Sequence, residues 1–422
     1  MTLLRSWLPS ANSATCPFPL NNLPCGVFST ADEEPRCGVA IGDCVLDLAG
    51  LESEGLLRLA DHPVFDVPFW NEVMELGPHA WATLRTDLTA MLAAGSPKQY
   101  LLTDYLHPLA KVQLHLPFLV SEYTDFYAGR HHATNVGTIL RGAENALPPN
   151  WLHIPIGYNG RASSVVVSGT DVRRPWGQLK GADHPAPIFA PSRRFDIELE
   201  LGTVVGQGST HGQPVTVAEA DAMIFGYVLL NDWSARDIQA WEYQPLGPFQ
   251  AKATATTIGP WIVMQAALQP FRVASPAREV PLLPYLEEPG PMLYDIGLEV
   301  GLTPENGTET VISRTNSREL YYSAAQQLAH HTSSGCAMNV GDLLGSGTIS
   351  GPTKGARGSL LELSWGGKEP IPVAGGTRTF IEDNDTLTLR GAAQGAGYLI
   401  GFGACTGKVI PALTDPYARK DK

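Results

Sequence analysis

Glycine and proline interrupt this chain at short intervals and so limit the folds that it can adopt. The sequence contains 43 Gly and 34 Pro among its 422 residues, which is about 18% against a usual sum of about 12%, and they follow no collagen-like period. Long helices do not tolerate such spacing, because glycine is too flexible and proline lacks the amide hydrogen that a helix uses. The pattern predicts a mainly β fold with many turns and argues against a helical bundle.

The length of the chain predicts two domains. Its 422 residues exceed one typical domain, and 44% of them are hydrophobic, enough for a large core. Residues 25–48 resemble short strands between turns, residues 69–94 space their apolar side chains three or four apart as helices do, and strand-like runs return after Pro117. We therefore expect a small domain at residues 1–118 with short helices and a large one at residues 119–422.

Two regions of the sequence have a helical pattern. Gly77-Pro78 divides the first of them into two helices. The second runs from about Ser317 to Ser333, with Asn316 as its expected N-cap and Gly335 just beyond its end. The short apolar run at residues 360–365 instead predicts a strand.

Charge and cysteine content restrict the partners and the compartment. The formal net charge is -13, which argues against a general nucleic-acid-binding surface. The N-terminus lacks the apolar core of a signal peptide, and no stretch approaches the ~18 apolar residues of a membrane span. The six cysteines form no C-x-x-C pair and are too sparse for a disulfide scaffold. We expect a cytoplasmic protein with reduced thiols and with neither a nucleic acid nor a membrane as partner.

Glu198 and Glu200 form the first candidate site. They alternate with apolar residues, so on a strand both would project from one face roughly 7 Å apart. Parallel carboxylates are the oxygen ligands that Ca²⁺ and Mg²⁺ take. The alternative is a solvated strand face, and the spacing alone favours that alternative.

A second cluster follows the apolar run that ends at Asp232. Arg236, Gln239 and Tyr243 are spaced so that one helix face carries all three. Hydrogen-bond donors beside a carboxylate indicate a site for an anionic, oxygen-rich ligand. The alternative is a helix cap formed by Asp232 and Ser234, with the other residues exposed.

Histidines and acids supply the remaining candidates. His131 and His132 are adjacent, which usually means that one is exposed and the other packed, and Asp125 precedes them closely. Glu362 lies among apolar residues, so it either faces solvent or is a buried acid that needs a partner such as histidine. The segment at residues 345–351 is a glycine-rich turn that could approach a ligand, but it lacks the Gly-Lys-Ser/Thr of a P-loop.

These motifs together resemble those of a known family. The resemblance rests on Tyr123-Thr-Asp-Phe-Tyr, Arg130-His-His-Ala-Thr-Asn-Val-Gly, Asp196-Ile-Glu-Leu-Glu, Asn231-Asp-Trp-Ser-Ala-Arg-Asp-Ile-Gln and Gly345-Ser-Gly-Thr-Ile-Ser-Gly. It extends into the N-terminal domain through Asn22-Leu-Pro-Cys-Gly-Val-Phe. On these motifs the chain resembles the full-length, two-domain type of the fumarylacetoacetate hydrolase family.

The resemblance implies a fold and a reaction. The fold would be a small SH3-like N-terminal domain followed by a large mixed β-sandwich roll, assembled as a homodimer. The reaction would be metal-dependent hydrolysis of the carbon–carbon bond of 4-fumarylacetoacetate to fumarate and acetoacetate, the last step of tyrosine and phenylalanine catabolism. Two alternatives stay open: an acylpyruvate hydrolase or decarboxylase of the same superfamily, and a catalytically silent metal-binding β protein.

The resemblance also implies roles for individual residues. The first metal ligands, for Ca²⁺, would be Asp125, Glu198, Glu200 and Asp232. A second position, for Mg²⁺, would use Asp232, Thr256 and the backbone oxygen of Lys252. The diketo-diacid substrate would contact Tyr127, Arg141, Gln239, Tyr243 and Thr348. His132 would activate water, Glu362 would orient it, and the oxyanion would be stabilised by Arg236, Gln239 and Lys252.

Overall fold

The computed structural model describes residues 2–181, 185–415 and 417. Helices in it are short and are scattered between strands, as the frequent glycines and prolines predict. They are α1 Leu48–Ser53, α2 Asn71–Glu75, α3 Gly77–Leu92, α4 Gln99–Leu102, α5 Arg130–Arg141, α6 Val217–Met223, α7 Arg236–Glu242, α8 Gln265–Leu268, α9 Ala324–Thr332 and α10 Leu360–Leu363.

An antiparallel five-stranded sheet builds the small N-terminal domain. Its strands are β1 Cys25–Ser29, β2 Arg36–Ile41, β3 Cys44–Asp47, β4 Leu106–Pro108 and β5 Gln113–Leu114. They pair in the order β4-β3-β2-β1-β5. Helices α2 and α3 meet at Gly77, so the predicted division of this helical region is confirmed.

The strands that follow form the large C-terminal domain. They are β6 Tyr123–Phe126, β7 Gly157–Asn159, β8 Val165–Val167, β9 Val172–Arg173, β10 Trp176–Leu179, β11 Ile188–Pro191, β12 Phe195–Asp196, β13 Leu199–Val205, β14 Ile224–Asp232, β15 Ser234–Ala235, β16 Thr256–Ile258, β17 Val263–Met264, β18 Arg272–Val273, β19 Leu293–Tyr294, β20 Gly297–Thr303, β21 Thr310–Asn316, β22 Leu343–Gly345, β23 Ile371–Val373, β24 Gly376–Arg378, β25 Thr386–Gln394 and β26 Leu399–Ile410.

Two large sheets face one another in this domain. The first has eight strands in the order β7-β6-β22-β13-β14-β16-β8, with β17 also paired to β14, and the second has the order β21-β20-β25-β26-β9. Strand β14 of the first sheet contacts β25 and β26 of the second. The apolar side chains between them are fully buried, among them Leu229, Leu389 and Phe402. This is the mainly β, sandwich-like architecture that was expected.

The N-terminal domain packs against the first of these sheets. Trp81 of α3 meets Phe225 of β14 edge to face, with 5.2 Å between ring centroids, and Trp70 lies 6.2 Å from the same ring. One buried apolar cluster contains these three residues together with Val228 and Leu230 of β14. The β14 strand therefore contacts the N-terminal domain, while its end delivers Asp232 to the candidate site.

Two of the expected elements differ from those in the structure. The helix predicted from about Ser317 begins at Ala324, because Ser323 and Gln326 form the capping box, and Asn316 caps only a separate 3₁₀ turn. The strand predicted at residues 360–365 is wrong. Ser359 accepts the amide of Glu362 and starts the short helix α10 there. No helix in the described part of the chain has the length and apolarity that crossing a membrane requires.

Candidate metal and active site

Four buried carboxylates come together at one end of the eight-stranded sheet. Asp125 lies on β6, Glu200 on β13, Asp232 at the end of β14, and Glu198 just before β13. One oxygen from each lies within 4.8 Å of the others. All four side chains are nearly inaccessible to solvent, and Glu198 is only 4% exposed. The alternative of a solvated strand face is therefore wrong for Glu198 and Glu200.

A glycine between these strands makes room for the carboxylates. Gly345 on β22 pairs with Asp125 on β6, and a Cβ atom there would lie 2.5 Å from Asp125 Oδ1 and 3.0 Å from Glu200 Oε2. Two residues later, the amide of Gly347 donates to Glu200 Oε2 at 2.9 Å. The glycine-rich turn that the sequence indicated therefore borders the carboxylate cluster.

The four acids differ in the direction in which their surroundings shift the pKa. Burial, together with the neighbouring acids, raises the pKa of Asp125 and Glu200 well above the ordinary value. Burial also raises the pKa of Asp232. The same burial opposes ionisation of Glu198, but Arg236 and Lys252 outweigh it, so the pKa of Glu198 is lowered. The cluster is thus held as a mixture of ionised and readily protonated acids.

Two cations balance part of this negative charge. Lys252 Nζ donates to Glu198 and, at 2.7 Å, to Asp232 Oδ2. Arg236 Nη2 donates to Glu198 Oε1 at 2.7 Å. Arg236 also pairs with the buried Asp196, so four ionised acids would leave an excess of negative charge that a divalent cation would offset. Among the described residues, Asp125 Oδ1 and Glu200 Oε1 are buried and have no hydrogen-bond partner, as expected of oxygens that serve as metal ligands. The residues present therefore fit a hard divalent cation.

His132 and Glu362 form a buried pair beside this cluster. His132 Nδ1 lies 2.7 Å from Glu362 Oε2, and His132 Nε2 lies 3.5 Å from Glu198 Oε1. The two side chains are 2% and 0% exposed, so Glu362 is a buried acid with a histidine partner. Burial opposes ionisation of Glu362, but His132 and other donors prevail and lower its pKa. An ionised carboxylate only accepts hydrogen bonds, so His132 Nδ1 donates to Glu362, and Nε2 is the ring nitrogen that faces the acids.

His131 lies outside this arrangement. Its side chain is 38% exposed, and its Nε2 is 3.6 Å from Glu319. One of the two adjacent histidines is thus packed and the other exposed, as the sequence indicated. The segment is a helix, α5, so the neighbouring residues point about 100° apart.

Three residues that were expected to contact the substrate are Tyr127, Arg141 and Thr348. The Tyr127 ring meets the His132 ring edge to face at 5.4 Å. Arg141, at the end of α5, donates to the backbone oxygens of Asn145 and Ala146. Thr348 is 1% exposed, and its buried Oγ1 has no hydrogen-bond partner in the described part of the chain, which suits a group that binds a ligand.

Gln239 and Tyr243 follow Arg236 along α7. Gln239 Oε1 accepts from Arg236 Nη1 at 3.1 Å, which leaves the amide NH₂ of Gln239 as a donor. Tyr243 lies at the C-terminal end of the helix, where its hydroxyl accepts from Gln244. No side chain caps the start of α7, so the alternative of a cap formed by Asp232 and Ser234 is wrong.

Thr256 and Lys252 lie beside Asp232, where a second metal position was expected. Thr256 pairs with Asp232 across β16 and β14, and its Oγ1 is 3.3 Å from Asp232 Oδ1. Tyr158, which sequence reasoning did not single out, donates to Asp232 Oδ2 at 3.0 Å. The motif Gly157-Tyr-Asn-Gly-Arg-Ala-Ser-Ser, which this tyrosine belongs to, also resembles the family, and the pairing of β7 with β6 brings Tyr158 to the site.

Two other polar residues were missed by sequence reasoning. Asp196 is fully buried and accepts from Arg236 Nε at 2.8 Å and from the amides of Leu360 and Leu361 at the start of α10. Asn135 donates to Glu362 Oε1 at 2.8 Å. A signal existed for both residues, since Asp196 alternates with Glu198 and Glu200, and Asn135 lies one helical turn after His132.

Two family models match this chain, one in its N-terminal part and one in its C-terminal part. A family model described as the fumarylacetoacetase N-terminal domain matches residues 21–117. A second, described as the fumarylacetoacetate hydrolase C-terminal domain, matches residues 122–410. The fumarylacetoacetase of Arabidopsis thaliana is 47% identical over 421 residues, covering 98% of this chain and 100% of that protein. The human fumarylacetoacetase is 47% identical over 417 residues, covering 97% and 99%.

Solved structures share the fold at much lower sequence identity. A fumarylacetoacetate hydrolase from psychrophilic Exiguobacterium antarcticum has a TM-score of 0.53 at 16% identity, over 92% of this chain and 99% of that one. A maleylpyruvate hydrolase from Sphingobium has a TM-score of 0.51 at 17% identity, over 92% and 100%. At this identity the two structures are evidence for the fold alone.

Proposed function

The chain belongs to the fumarylacetoacetate hydrolase family, and from this premise we propose that it hydrolyses 4-fumarylacetoacetate to fumarate and acetoacetate. One observation carries the proposal most directly. His132 Nε2 faces a buried group of four carboxylates, while His132 Nδ1 is held by Glu362. A proton acceptor beside a cation site is what the addition of water to a diketone requires.

The cation is held by Asp125, Glu198, Glu200 and Asp232. Their oxygens are all carboxylate oxygens, the set that Ca²⁺ accepts, and we assign Ca²⁺ to this position. We assign Mg²⁺ to the adjacent position formed by Asp232, Thr256 and the backbone oxygen of Lys252. A divalent cation held by these residues would supply Lewis-acid polarisation of the attacked carbonyl and would favour the enolate form of the product.

His132 acts as the general base in this proposal. Its Nε2 takes a proton from water while the water oxygen bonds to the carbonyl carbon on the fumaryl side of the diketone. Glu362 keeps the other ring nitrogen protonated and stabilises the imidazolium that results. The carbon–carbon bond then breaks, its electron pair leaves as the enolate of acetoacetate, and the proton held on His132 returns to that carbon.

Three side chains stabilise the negative charge that develops on the attacked oxygen. Arg236 and Lys252 carry the positive charge, and the NH₂ group of Gln239 is directed by its contact with Arg236. Donors fixed in a buried site act strongly, because they need no reorganisation during the reaction; one such donor is worth about 3–4 kcal/mol in comparable enzymes.

The ends of the diacid substrate need donors of their own. We propose that Arg141 and Tyr127 hold the fumarate-side carboxylate, since both lie on or beside α5, the helix that carries His132. Thr348 contributes its unpartnered hydroxyl, and Gln239 and Tyr243 contact the substrate from α7.

We also propose a domain boundary, an oligomeric state and a cellular location for the protein. We divide the chain near residue 118, which the gap between the two matched ranges, 21–117 and 122–410, supports. We propose a homodimer in the cytoplasm, where the six free cysteines would stay reduced.

Product analysis tests the reaction. Purified protein with Ca²⁺ or Mg²⁺ is mixed with fumarylacetoacetate, the loss of its absorbance is followed, and the products are identified. Formation of fumarate and acetoacetate in equal amounts is expected. Carbon dioxide as a product, or turnover only of acylpyruvates, would indicate another activity of the superfamily. No turnover of either substrate by the metal-loaded protein would indicate a silent metal-binding protein.

A further inference from the structure

Glu362 is held by four side-chain donors, and one of them comes from the helix that carries His132. His132 Nδ1, Ser350 Oγ and Ser359 Oγ all reach Oε2, at 2.7, 2.9 and 2.8 Å. Asn135 Nδ2 reaches Oε1 at 2.8 Å. Within the described residues, Asn135 is the only side chain that donates to Oε1.

Helical spacing explains why Asn135 and His132 act on the same carboxylate. Residues three apart on α5 project from the same face. Glu362 lies against that face, with Oε2 on His132 and Oε1 on Asn135. Two hydrogen bonds from one rigid helix fix both the position of the carboxylate and the rotation of its plane.

The two serines differ from Asn135 because they also support the backbone. Ser359 Oγ accepts the amide of Glu362 at the start of α10, and Ser350 Oγ accepts the amide of Gly358. Replacing either serine would therefore disturb the local fold. Asn135 is only half-buried, so it can be replaced with little risk of unfolding.

We propose that Asn135 is a positioning residue for the general base. It fixes the rotation of the Glu362 carboxylate, so that Oε2 stays directed at His132 Nδ1 and Nε2 stays directed at the acids. The proposal rests on the function proposed above and extends it to a residue that touches neither the metal ligands nor the substrate. Polar groups that orient catalytic side chains in this way commonly contribute about 10-fold to 100-fold.

An isosteric replacement separates this role from a packing role. Asn135→Asp keeps the size of the side chain but turns the donor into an acceptor with a charge like that of Glu362. We expect kcat to fall by about 10-fold to 100-fold with KM changed less than about 3-fold. The control is Thr138→Val on the next turn of α5, where the hydroxyl donates to the Thr134 carbonyl and, in the residues that the structure describes, to no other group. The kcat of this variant should match that of the wild type.

Combination with a Glu362 variant tests whether the two residues act as a unit. In Glu362→Gln the carboxylate becomes an amide that can donate, so adding Asn135→Asp restores a donor–acceptor pair in the opposite direction. We expect the double variant to be no slower than Glu362→Gln alone. Additive losses would mean that Asn135 acts elsewhere.

A spectroscopic readout tests the inference without turnover. The proton between His132 Nδ1 and Glu362 should give a strongly downfield proton resonance, which disappears in His132→Ala. Asn135→Asp should shift or broaden this resonance, and Thr138→Val should leave it in place. An unchanged resonance together with wild-type kcat in Asn135→Asp would overturn the inference. If the wild type fails to hydrolyse fumarylacetoacetate, the proposed function is wrong, and the resonance alone decides whether Asn135 positions the pair.

Discussion

At the scale of single residues, the four acids of the cluster are not equivalent. Glu198 lies against Arg236 and Lys252, which lower its pKa against the effect of burial. Asp125 and Glu200 lack such direct partners, and burial raises the pKa of both. Without a metal, this pair therefore retains a proton at pH values where an ordinary carboxyl has lost it. A bound cation would have to displace that proton.

Proton release on metal binding follows from these raised pKa values. Titration of the metal-free protein with Ca²⁺ near pH 7 should release about one proton, and the apparent affinity should rise with pH, because fewer protons then remain to be displaced. Calorimetry in buffers of different ionisation enthalpy measures the number released. Equal heats in all buffers and an affinity independent of pH would show that the cluster is already fully ionised.

The two adjacent histidines should differ sharply in their effect on turnover. His132→Ala should lower kcat by roughly 10²–10⁴-fold with the metal content unchanged, because a general base acts in the transition state and is not a ligand. His131, with its exposed side chain, is the matched control and should change kcat little when replaced by alanine. Steady-state kinetics and metal analysis of both variants make the comparison. Similar kcat values for the two would place the base elsewhere.

At the scale of elements, α10 connects His132 with Arg236, two residues for which we propose catalytic roles. Asp196 accepts from Arg236 Nε and from the amides of Leu360 and Leu361, while Glu362, the next residue of the helix, is bonded to His132. Although burial raises the pKa of Asp196, Arg236 and the backbone amides favour its ionised form. The Asp196 carboxylate therefore joins α10, the helix that carries Glu362, to Arg236.

Loss of the Asp196 charge should destabilise the fold and slow the enzyme together. Asp196→Asn leaves Arg236 with one fewer buried counter-ion, which should cost roughly 3 kcal/mol in the free energy of unfolding. The comparison is Asp237→Asn, since Asp237 is half-buried and is bonded to Ser192 and the Arg193 amide, without an arginine side chain; it should cost about 1 kcal/mol. Denaturant unfolding measures both. Equal losses in the free energy of unfolding for the two variants would show that Asp196 acts only by accepting the amides at the start of α10.

Sequence patterns predicted long elements better than short ones. Sixteen residues of α3 contain enough turns for the apolar spacing to be recognised. The four residues of α10 do not, and a short apolar run fits a strand equally well. The capping box formed by Ser323 and Gln326 marks the start of α9 in the sequence. Asn316 is also a favourable N-cap residue, and the helix was therefore predicted to begin too early. Asn135 and Asp196 were missed because their partners are distant in sequence and become neighbours only through folding.

At the scale of the whole molecule, the eight-stranded sheet contributes to the buried core and also positions the acids of the site. Its β14 strand packs against the N-terminal domain through Phe225 and ends in the carboxylate cluster at Asp232. Strand β6 and the chain at the start of β13 bring in the other acids, and both strands pair with β22, so the site depends on the register of strands that are distant in sequence. Composition alone predicted the β-rich class, and only the family motifs indicated which acids converge.

Stability should depend on pH through Asp342, which lies outside the site. Burial raises the pKa of Asp342 from 3.8 to about 6. The native state therefore binds a proton that the unfolded state has lost, so this residue reduces stability as the pH rises from about 4 to 6. Asp342→Asn removes the effect and should gain up to ~3 kcal/mol over the wild type at pH 8, and less at pH 5. Denaturant unfolding at both pH values measures the difference; an equal difference at both would contradict the assignment.

We propose that the buried carboxylates hold a cation that is needed for the hydrolysis of fumarylacetoacetate. Fumarate formation is measured with the protein before chelation, after verified metal removal, and after Ca²⁺ or Mg²⁺ is restored, and the Asp125→Asn variant is measured in the same way. Turnover should be lost when the metal is removed and should return when Ca²⁺ or Mg²⁺ is restored. Folded Asp125→Asn protein should have low turnover at every cation concentration. Full turnover by the metal-free protein would contradict the proposal.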